Sequence, residues 1–320
     1  MLHATHDATT AAPNLAVKGL LDKRLLLVVG KGGVGRTTVA AALARAATRV
    51  GKRVLLAQTN APERLSQLLG SRTPIGPTVT VVDHLLSAVN MTPKVALHEY
   101  GVMLLRYEPI YRAIFENKPM RSFLGAFPGL DYWTMLGKVW WHTTEMEQGR
   151  LKYDLVVLDG PASGHAVAML RVPDAVASAM PKGPLARDAS LARALLSDAR
   201  RTAAVLVTLP EELPARETVI LARDLRELRI PTGPLVVNAL CPADAADPSL
   251  TKVIAASGSA PPELAGLLAG AATLAERRRD ADRIILGLAA DPGLTMIGFP
   301  RLPTSQLGPE DIEQLAGLLT

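Results

Sequence analysis

The residues with the clearest chemistry form the glycine-rich segment Gly30–Thr38, which reads GKGGVGRTT. It places a glycine, four further residues, a second glycine, a cation and a threonine between an apolar run and a stretch of helical character. Between a strand and a helix, this spacing is typical of a loop that binds nucleotide phosphates. Glycines let backbone N–H groups converge on phosphate oxygens, and the helix N-terminus adds a favourable dipole. The predicted phosphate-binding residues are Gly32, Gly33, Val34, Gly35, Arg36, Thr37 and Thr38.

Two oxygen-bearing side chains are placed to hold magnesium. Thr37 occupies the loop position whose hydroxyl binds Mg²⁺. Asp159 ends the apolar run Leu155–Leu158, as the carboxylate of a Walker B strand does, and such a carboxylate holds Mg²⁺ directly or through water. We therefore predict a site for ATP and Mg²⁺, with Thr37 and Asp159 on the metal side.

Short apolar runs recur between stretches of helical character along the chain. The run Arg24–Val29, RLLLVV, stops at Gly30 and is typical of a fully buried strand in a parallel sheet. Thr37–Val50 is alanine-rich and helical in character. Strands that alternate with helices indicate an α/β fold, here a doubly wound, mainly parallel sheet of the P-loop NTPase type. Further strand candidates are Arg53–Thr59, Leu155–Leu158, Ala203–Thr208, Pro234–Asn238 and Leu294–Ile297.

Residues 91–150 depart from this alternation. They contain most of the chain's aromatic residues, including all three Trp, and no clear buried strand. Together with the helical stretch 166–201, they predict a helical subdomain inserted into the core of a P-loop domain that spans 23–320. Residues 1–22 are predicted to form a flexible tail. Methionine-rich helices make adaptable grooves for apolar helices, but the same residues also suit the subdomain's own core.

Lys31, early in the loop, marks a subclass of phosphate loops. With it, GKGGVGRTT resembles the deviant Walker A motif of ATPases related to ArsA, the GET-pathway ATPase, MinD, ParA and nitrogenase iron protein. In that class the early lysine reaches the nucleotide of the facing subunit. The resemblance therefore implies a catalytic contact from Lys31 and a dimer.

Later segments resemble the ArsA/GET family within that class. Tyr153–Pro173, YDLVVLDGPASGHAVAMLRVP, resembles its second switch, and Thr208–Thr218, TLPEELPARET, resembles its Pro-Glu segment. The run VVNAL resembles a motif whose asparagine reads adenine, which implies that role for Asn238. Pro300 begins a Pro-Arg-Leu run that resembles the family's last adenine-side loop. ATP and Mg²⁺ are the cofactors that this resemblance implies.

Two departures from the family bear on turnover. Arg36 stands where the loop lysine is expected, and its planar fork keeps the positive charge but not the position of a compact ammonium. Asn60 stands where the family's first switch has an aspartate that orients the attacking water, and an amide cannot accept a proton at neutral pH. Glu63 is the nearest acid. Loss of a water-positioning base costs about 10²–10⁴ in rate, so we expect slow hydrolysis. The candidate catalytic residues are Lys31, Arg36, Asn60 and Asp159.

Composition limits the alternatives. The net charge of +5 is mildly basic, so no specific nucleic-acid partner is expected and a ParA-like DNA-partition role is the weakest hypothesis. The one cysteine, Cys241, excludes a cysteine-cluster metal site within one chain. No apolar run reaches the ~18 residues of a membrane-spanning helix and no signal peptide is evident, so we expect a cytoplasmic protein without stable membrane insertion.

Two function hypotheses follow from the resemblance. In the first, ATP hydrolysis drives the opening and closing of a dimer that handles an apolar helical client. In the second, the chain binds ATP but hydrolyses it weakly, as the regulatory subunit of an unequal dimer with another ArsA-like ATPase. The sequence leaves the choice between homodimer and heterodimer open.

Overall fold

The computed structural model of the chain describes residues 19–105, 129–242, 262–290 and 294–320, together with residues 245 and 252. Most of the predicted N-terminal tail lies outside the described residues. So do residues 106–128 of the predicted helical insertion.

The elements alternate between strands and helices along most of the chain. The strands are β1 (Leu25–Gly30), β2 (Val54–Thr59), β3 (Thr80–Val81), β4 (Leu86–Met91), β5 (Met146–Glu147), β6 (Arg150–Leu151), β7 (Leu155–Ala162), β8 (Thr202–Thr208), β9 (Thr232–Leu240) and β10 (Met296–Pro300). The helices are α1 (Arg36–Arg49), α2 (Leu65–Leu69), α3 (Pro93–Leu105), α4 (Leu130–Thr144), α5 (Ser163–Ala179), α6 (Pro184–Ser197), α7 (Glu212–Glu227), α8 (Pro262–Ala289) and α9 (Pro309–Gly317).

An 8-stranded sheet in the order β10-β9-β8-β1-β7-β2-β4-β3 forms the centre of the fold. Its paired strands are parallel, apart from the antiparallel pair β3–β4 at one edge. Strands β5 and β6 form a separate antiparallel hairpin. The predicted α/β fold with a mainly parallel sheet is confirmed. The strand β1 lies between β7 and β8, so the loop that follows β1 emerges at the centre of the sheet's carboxyl edge.

Alternate residues of the buried strands supply two apolar cores, one on each face of the sheet. Leu26 and Val28 of β1 pack in one core with Leu43 of α1 and Leu315 of α9. The neighbouring residues Leu25, Leu27 and Val29 pack in the other core with residues of α4, α5 and α7. Helices therefore cover both faces, which is why the strands are apolar runs without polar alternation.

A third apolar cluster joins α3, α4, α5 and α6 away from the sheet. Tyr100 and Trp133 meet edge to face in it, with ring centroids 5.9 Å apart, and Val176 and Ala192 pack beside them. The predicted helical stretch 166–201 consists of two helices, since α5 ends at Ala179 and α6 begins at Pro184. Within the described parts of the chain, no helix has the length and apolar character that crossing a bilayer requires.

Candidate nucleotide and magnesium site

The loop between β1 and α1 has the backbone form of a phosphate cradle. Gly33 and Gly35 have φ angles of +87° and +90°, which side chains other than glycine rarely adopt. Gly35 is also closely approached, because a Cβ atom there would lie 2.1 Å from Nδ2 of Asn238. At Gly30, a Cβ would lie 2.3 Å from the carbonyl oxygen of Val207 on β8. Gly35 is therefore required both by its φ and by its contact with Asn238. Gly30 is required by its contact with Val207 alone.

Asn238 supports this loop from the neighbouring side of the sheet. It lies near the end of β9, and its Nδ2 donates a hydrogen bond of 2.9 Å to the carbonyl oxygen of Val34. Pro300 at the end of β10 is the register partner of Leu240. The two predicted adenine-side residues thus lie at the same edge of the sheet as the glycine loop. Their contact with adenine stays a prediction.

Arg36 opens α1 and folds back over the start of the loop. Its Nη1 donates a hydrogen bond of 2.7 Å to the carbonyl oxygen of Gly30. Burial lowers the pKa of the guanidinium, and the charge of Asp159 opposes that effect. One nitrogen of the guanidinium is thus bonded to the loop. A lysine has a single ammonium nitrogen on a flexible stem, so it would contact the loop with a different geometry.

Thr37, Asp159 and Gln58 meet beneath the loop. Thr37 Oγ1 donates to Asp159 Oδ2 at 2.7 Å, and Gln58 Nε2 donates to the same oxygen at 2.8 Å. Asp159 is 3% exposed. Burial raises the pKa of its carboxyl, while the two hydrogen bonds and the charge of Arg36 oppose the shift. The structure therefore brings the two predicted metal-side residues into direct contact.

This cluster suits Mg²⁺ by the chemistry of its atoms. It offers a hydroxyl and a carboxylate, and Oε1 of Gln58 is a buried acceptor with no hydrogen-bond partner among the described residues. Magnesium prefers oxygen ligands and is held by one or two protein groups together with phosphates and water. Elsewhere in the described chain, no group of three or more His, Cys, Asp or Glu forms a rival metal site.

The two first-switch residues singled out from the sequence make their recorded hydrogen bonds with residues outside this cluster. Asn60 is exposed, has a φ of +42°, and its backbone N–H donates to the carbonyl oxygen of Met91. Glu63 accepts hydrogen bonds from the backbone N–H and the hydroxyl of Ser66, 2.8 and 2.6 Å long, at the start of α2. The carboxylate of Glu63 is thus engaged at the start of α2.

Lys31 forms an ion pair within its own chain. Its Nζ lies 2.8 Å from Oε1 of Glu217 on α7, and the two side chains are 27% and 33% exposed. Sequence reasoning missed Glu217 as a partner, although it lies in the segment TLPEELPARET. It missed Gln58 as well, for which the only signal was its place at the end of an apolar strand.

Comparisons with known proteins place the chain beside a family of ATPases. A family model described as anion-transporting ATPase matches residues 23–188 and 185–256. The chain is 29% identical over 316 residues to the ATPase BagA of Mycobacterium tuberculosis, and the match covers 92% of each chain. It is 27% identical over 266 residues to the arsenical pump-driving ATPase of Escherichia coli, covering 76% of this chain and 45% of that one. It is 29% identical over 171 residues to the ATPase GET3 of Mycosarcoma maydis, covering 52% and 48%.

Proposed function

Because the chain belongs to the anion-transporting ATPase family, we propose that it binds ATP with Mg²⁺ and hydrolyses it slowly to switch a dimer between open and closed states. The observation that carries the proposal is the contact of Thr37 with Asp159 directly beneath the glycine loop. A hydroxyl and a carboxylate meet there at the N-terminus of α1, where backbone N–H groups and the helix dipole favour an anion.

The roles of the residues follow from their places. The N–H groups of Gly32–Thr38 bind the phosphates, and Arg36 supplies positive charge beside the loop. Thr37 and Asp159 hold Mg²⁺, which when bound neutralises phosphate charge. Asn238 fixes the loop through the carbonyl of Val34. These groups bind and orient the nucleotide, so affinity for ATP does not require a fast chemical step.

Turnover depends on how the attacking water is oriented. Asn60 offers an exposed amide where the family has an aspartate, and Glu63 is held by Ser66. This supports the second candidate function, a regulatory subunit that binds ATP in an unequal dimer whose partner carries the intact residues. The two candidates differ in whether the purified chain hydrolyses ATP without that partner.

Dimer closure would require Lys31 to exchange partners. A lysine that reaches the nucleotide of a facing subunit has to leave Glu217, to which it is paired in the single chain. Both side chains are partly exposed, so the pair contributes only about 0–1 kcal/mol and the exchange is easily driven by phosphate charge. The ion pair therefore supports the proposal that Glu217 holds Lys31 beside the loop in the open state, from which Lys31 can move to the nucleotide of the facing subunit.

A short physical path runs from the metal-side carboxylate to the helices above the sheet. Strand β7 continues past Asp159 to Ala162 and passes directly into α5. His165 in the first turn of α5 shares a hydrogen bond of 2.5 Å between its Nδ1 and the hydroxyl of Tyr132 on α4. A change of backbone at Asp159 would therefore reach α5 and, through Tyr132, α4, which both belong to the predicted helical subdomain.

The proposal is tested with purified protein by isothermal titration with ATP in Mg²⁺ or in chelator, by steady-state phosphate release, and by sedimentation with a non-hydrolysable ATP analogue. We expect Mg²⁺-dependent binding, slow release and association that needs nucleotide. Asp159→Asn should remove most of the Mg²⁺ dependence, because an amide is a far weaker ligand for a hard cation. Equal affinity with and without Mg²⁺ in the wild type would contradict the site assignment, and release restored by an added ArsA-like subunit would favour the regulatory role.

A further inference from the structure

Gln58 is a buried polar side chain in contact with the metal-side residues. It is 2% exposed at the end of β2, and Asp159 is its register partner on the adjacent parallel strand β7. Residues paired in this way project to the same side of a sheet. The strand register therefore places the amide beside the carboxylate. Its Nε2 lies 2.8 Å from Asp159 Oδ2 and 3.5 Å from Thr37 Oγ1.

The partners of Nε2 fix the orientation of the amide. An ionised carboxylate only accepts hydrogen bonds, so the NH₂ group has to face Asp159. The carbonyl oxygen Oε1 is buried without a hydrogen-bond partner among the residues that the structure describes. Buried acceptors in folded proteins are almost always satisfied by protein, water or ligand.

A purely structural role explains only half of this arrangement. An amide that served to fill the core would be expected to satisfy both its donor and its acceptor from the protein, as Asn90 does with the backbone of Ala61. The NH₂ group of Gln58 donates to the metal-side carboxylate, whereas its carbonyl oxygen has no hydrogen-bond partner among the described residues. An acceptor next to a metal ligand is suited to a water of the cation's hydration shell, which is a strong donor.

We propose that Gln58 is a positioning residue of the magnesium site, whose NH₂ group orients Asp159 and whose Oε1 accepts a hydrogen bond from water carried by the cation. The inference rests on the proposed function and deepens it. Groups that hold a metal ligand from behind set its orientation, and their loss costs roughly 10- to 100-fold in metal affinity.

The test measures the magnesium coupling of nucleotide binding, which is the ratio of the ATP dissociation constants in chelator and in Mg²⁺. Gln58→Met keeps the length of the side chain but removes donor and acceptor. We expect it to reduce the coupling at least about tenfold while the affinity in chelator stays within about twofold. Gln67→Met is the matched control, because Gln67 is exposed on α2 and bonds the carbonyl of Leu307 away from the loop. It should leave the coupling unchanged.

Gln58→Glu gives a second, opposite readout that keeps a polar group in the buried position. A second carboxylate beside Asp159 repels it, so the variant should have a lower melting temperature than the wild type without ligand. Mg²⁺ should raise the melting temperature of the variant by more than it raises that of the wild type. Its coupling should therefore rise. If Gln58→Met does not fold, a coupling in Gln58→Glu equal to that of the wild type overturns the proposal.

The proposed function and the role of Gln58 are contradicted by different results. A wild type that binds ATP without regard to Mg²⁺ overturns the proposed function and this inference with it. A wild type with strong coupling and a Gln58→Met variant with the same coupling overturns the role of Gln58 alone.

Discussion

Gly35 combines a positive φ with a close side-chain contact, and Gly35→Ala tests both features of the glycine loop. The residue has a φ of +90°, and the added Cβ would lie 2.1 Å from Nδ2 of Asn238. The Asn238 side chain would have to turn away, which breaks its 2.9 Å hydrogen bond to the carbonyl of Val34. A single methyl group therefore disturbs both the loop and the residue that supports it.

The expected cost has two parts. An alanine held at positive φ costs about 1–2 kcal/mol, and the lost hydrogen bond costs about 1 kcal/mol. We expect the free energy of unfolding, measured by urea denaturation without nucleotide, to fall by about 2–3 kcal/mol. If the loop instead relaxes out of shape, ATP has to restore it, and about 2 kcal/mol of restoration weakens binding roughly 30-fold.

Two neighbouring glycines separate these contributions. Gly33 has a φ of +87° but open space around a Cβ, so Gly33→Ala should cost only the conformational part, about 1–2 kcal/mol. A Cβ at Gly32 meets nothing within 4 Å, so Gly32→Ala should be neutral or up to about 1 kcal/mol stabilising, through the entropy of the unfolded chain. The reasoning is refuted if Gly35→Ala unfolds and binds like Gly32→Ala.

Three further outcomes are expected. Arg36→Lys combined with Asn60→Asp should raise steady-state phosphate release by about 10²-fold or more, because a water-positioning carboxylate returns; a slower double variant would identify the native pair as adapted to catalysis. Glu217→Gln frees the early loop lysine and should tighten ATP-dependent association about 2- to 5-fold in sedimentation, the scale of a partly exposed ion pair; no change would show that the pair does not compete with dimer closure. A hydrogen bond from His142 is the main cause that lowers the pKa of Glu145 from 4.5 to about 2, so its ionised form stabilises the fold above about pH 4.5 and that contribution is lost as pH falls through 2. Glu145→Gln should therefore lose on the order of 2–3 kcal/mol at pH 7 and nothing near pH 2 in urea titrations; an equal loss at both pH values would contradict the assignment.

Local patterns were sufficient to predict most of the parallel strands and the helix that follows the phosphate loop. The run RLLLVV before Gly30 is β1, and the alanine-rich stretch after the loop is α1. Strand β4 was missed, because Ser87 and Asn90 interrupt its apolar residues although Ala88 and Val89 are fully buried. Such strands are recognised by the neighbours they acquire in the sheet, and a single sequence does not contain that information.

The contacts that complete the site could not be predicted from the sequence, because they also depend on which elements become neighbours in the fold. Gln58 reaches Asp159 only because β2 lies beside β7 in the sheet order, and Lys31 reaches Glu217 only because α7 packs near the loop. Motif spacing describes a loop along the chain, whereas these pairs join segments far apart in sequence. The motif therefore predicts which residues bind the nucleotide, and the topology decides which side chains contact those residues.

Asp159 links the stability of the ligand-free chain to its ligand. Burial raises the pKa of its carboxyl, so ionisation of Asp159 is disfavoured in the fold, and that cost is present once the pH exceeds the raised pKa. Thr37 and Gln58 offset part of the cost through their hydrogen bonds. A divalent cation bound as proposed would remove more of it, and the free energy gained would stabilise β1, β2, β7 and α1, which meet at this carboxylate or at the loop above it. Under the proposed function, the elements at the centre of the sheet would be held most firmly with nucleotide and metal bound, and β7 would connect that state to the helix α5 that follows it.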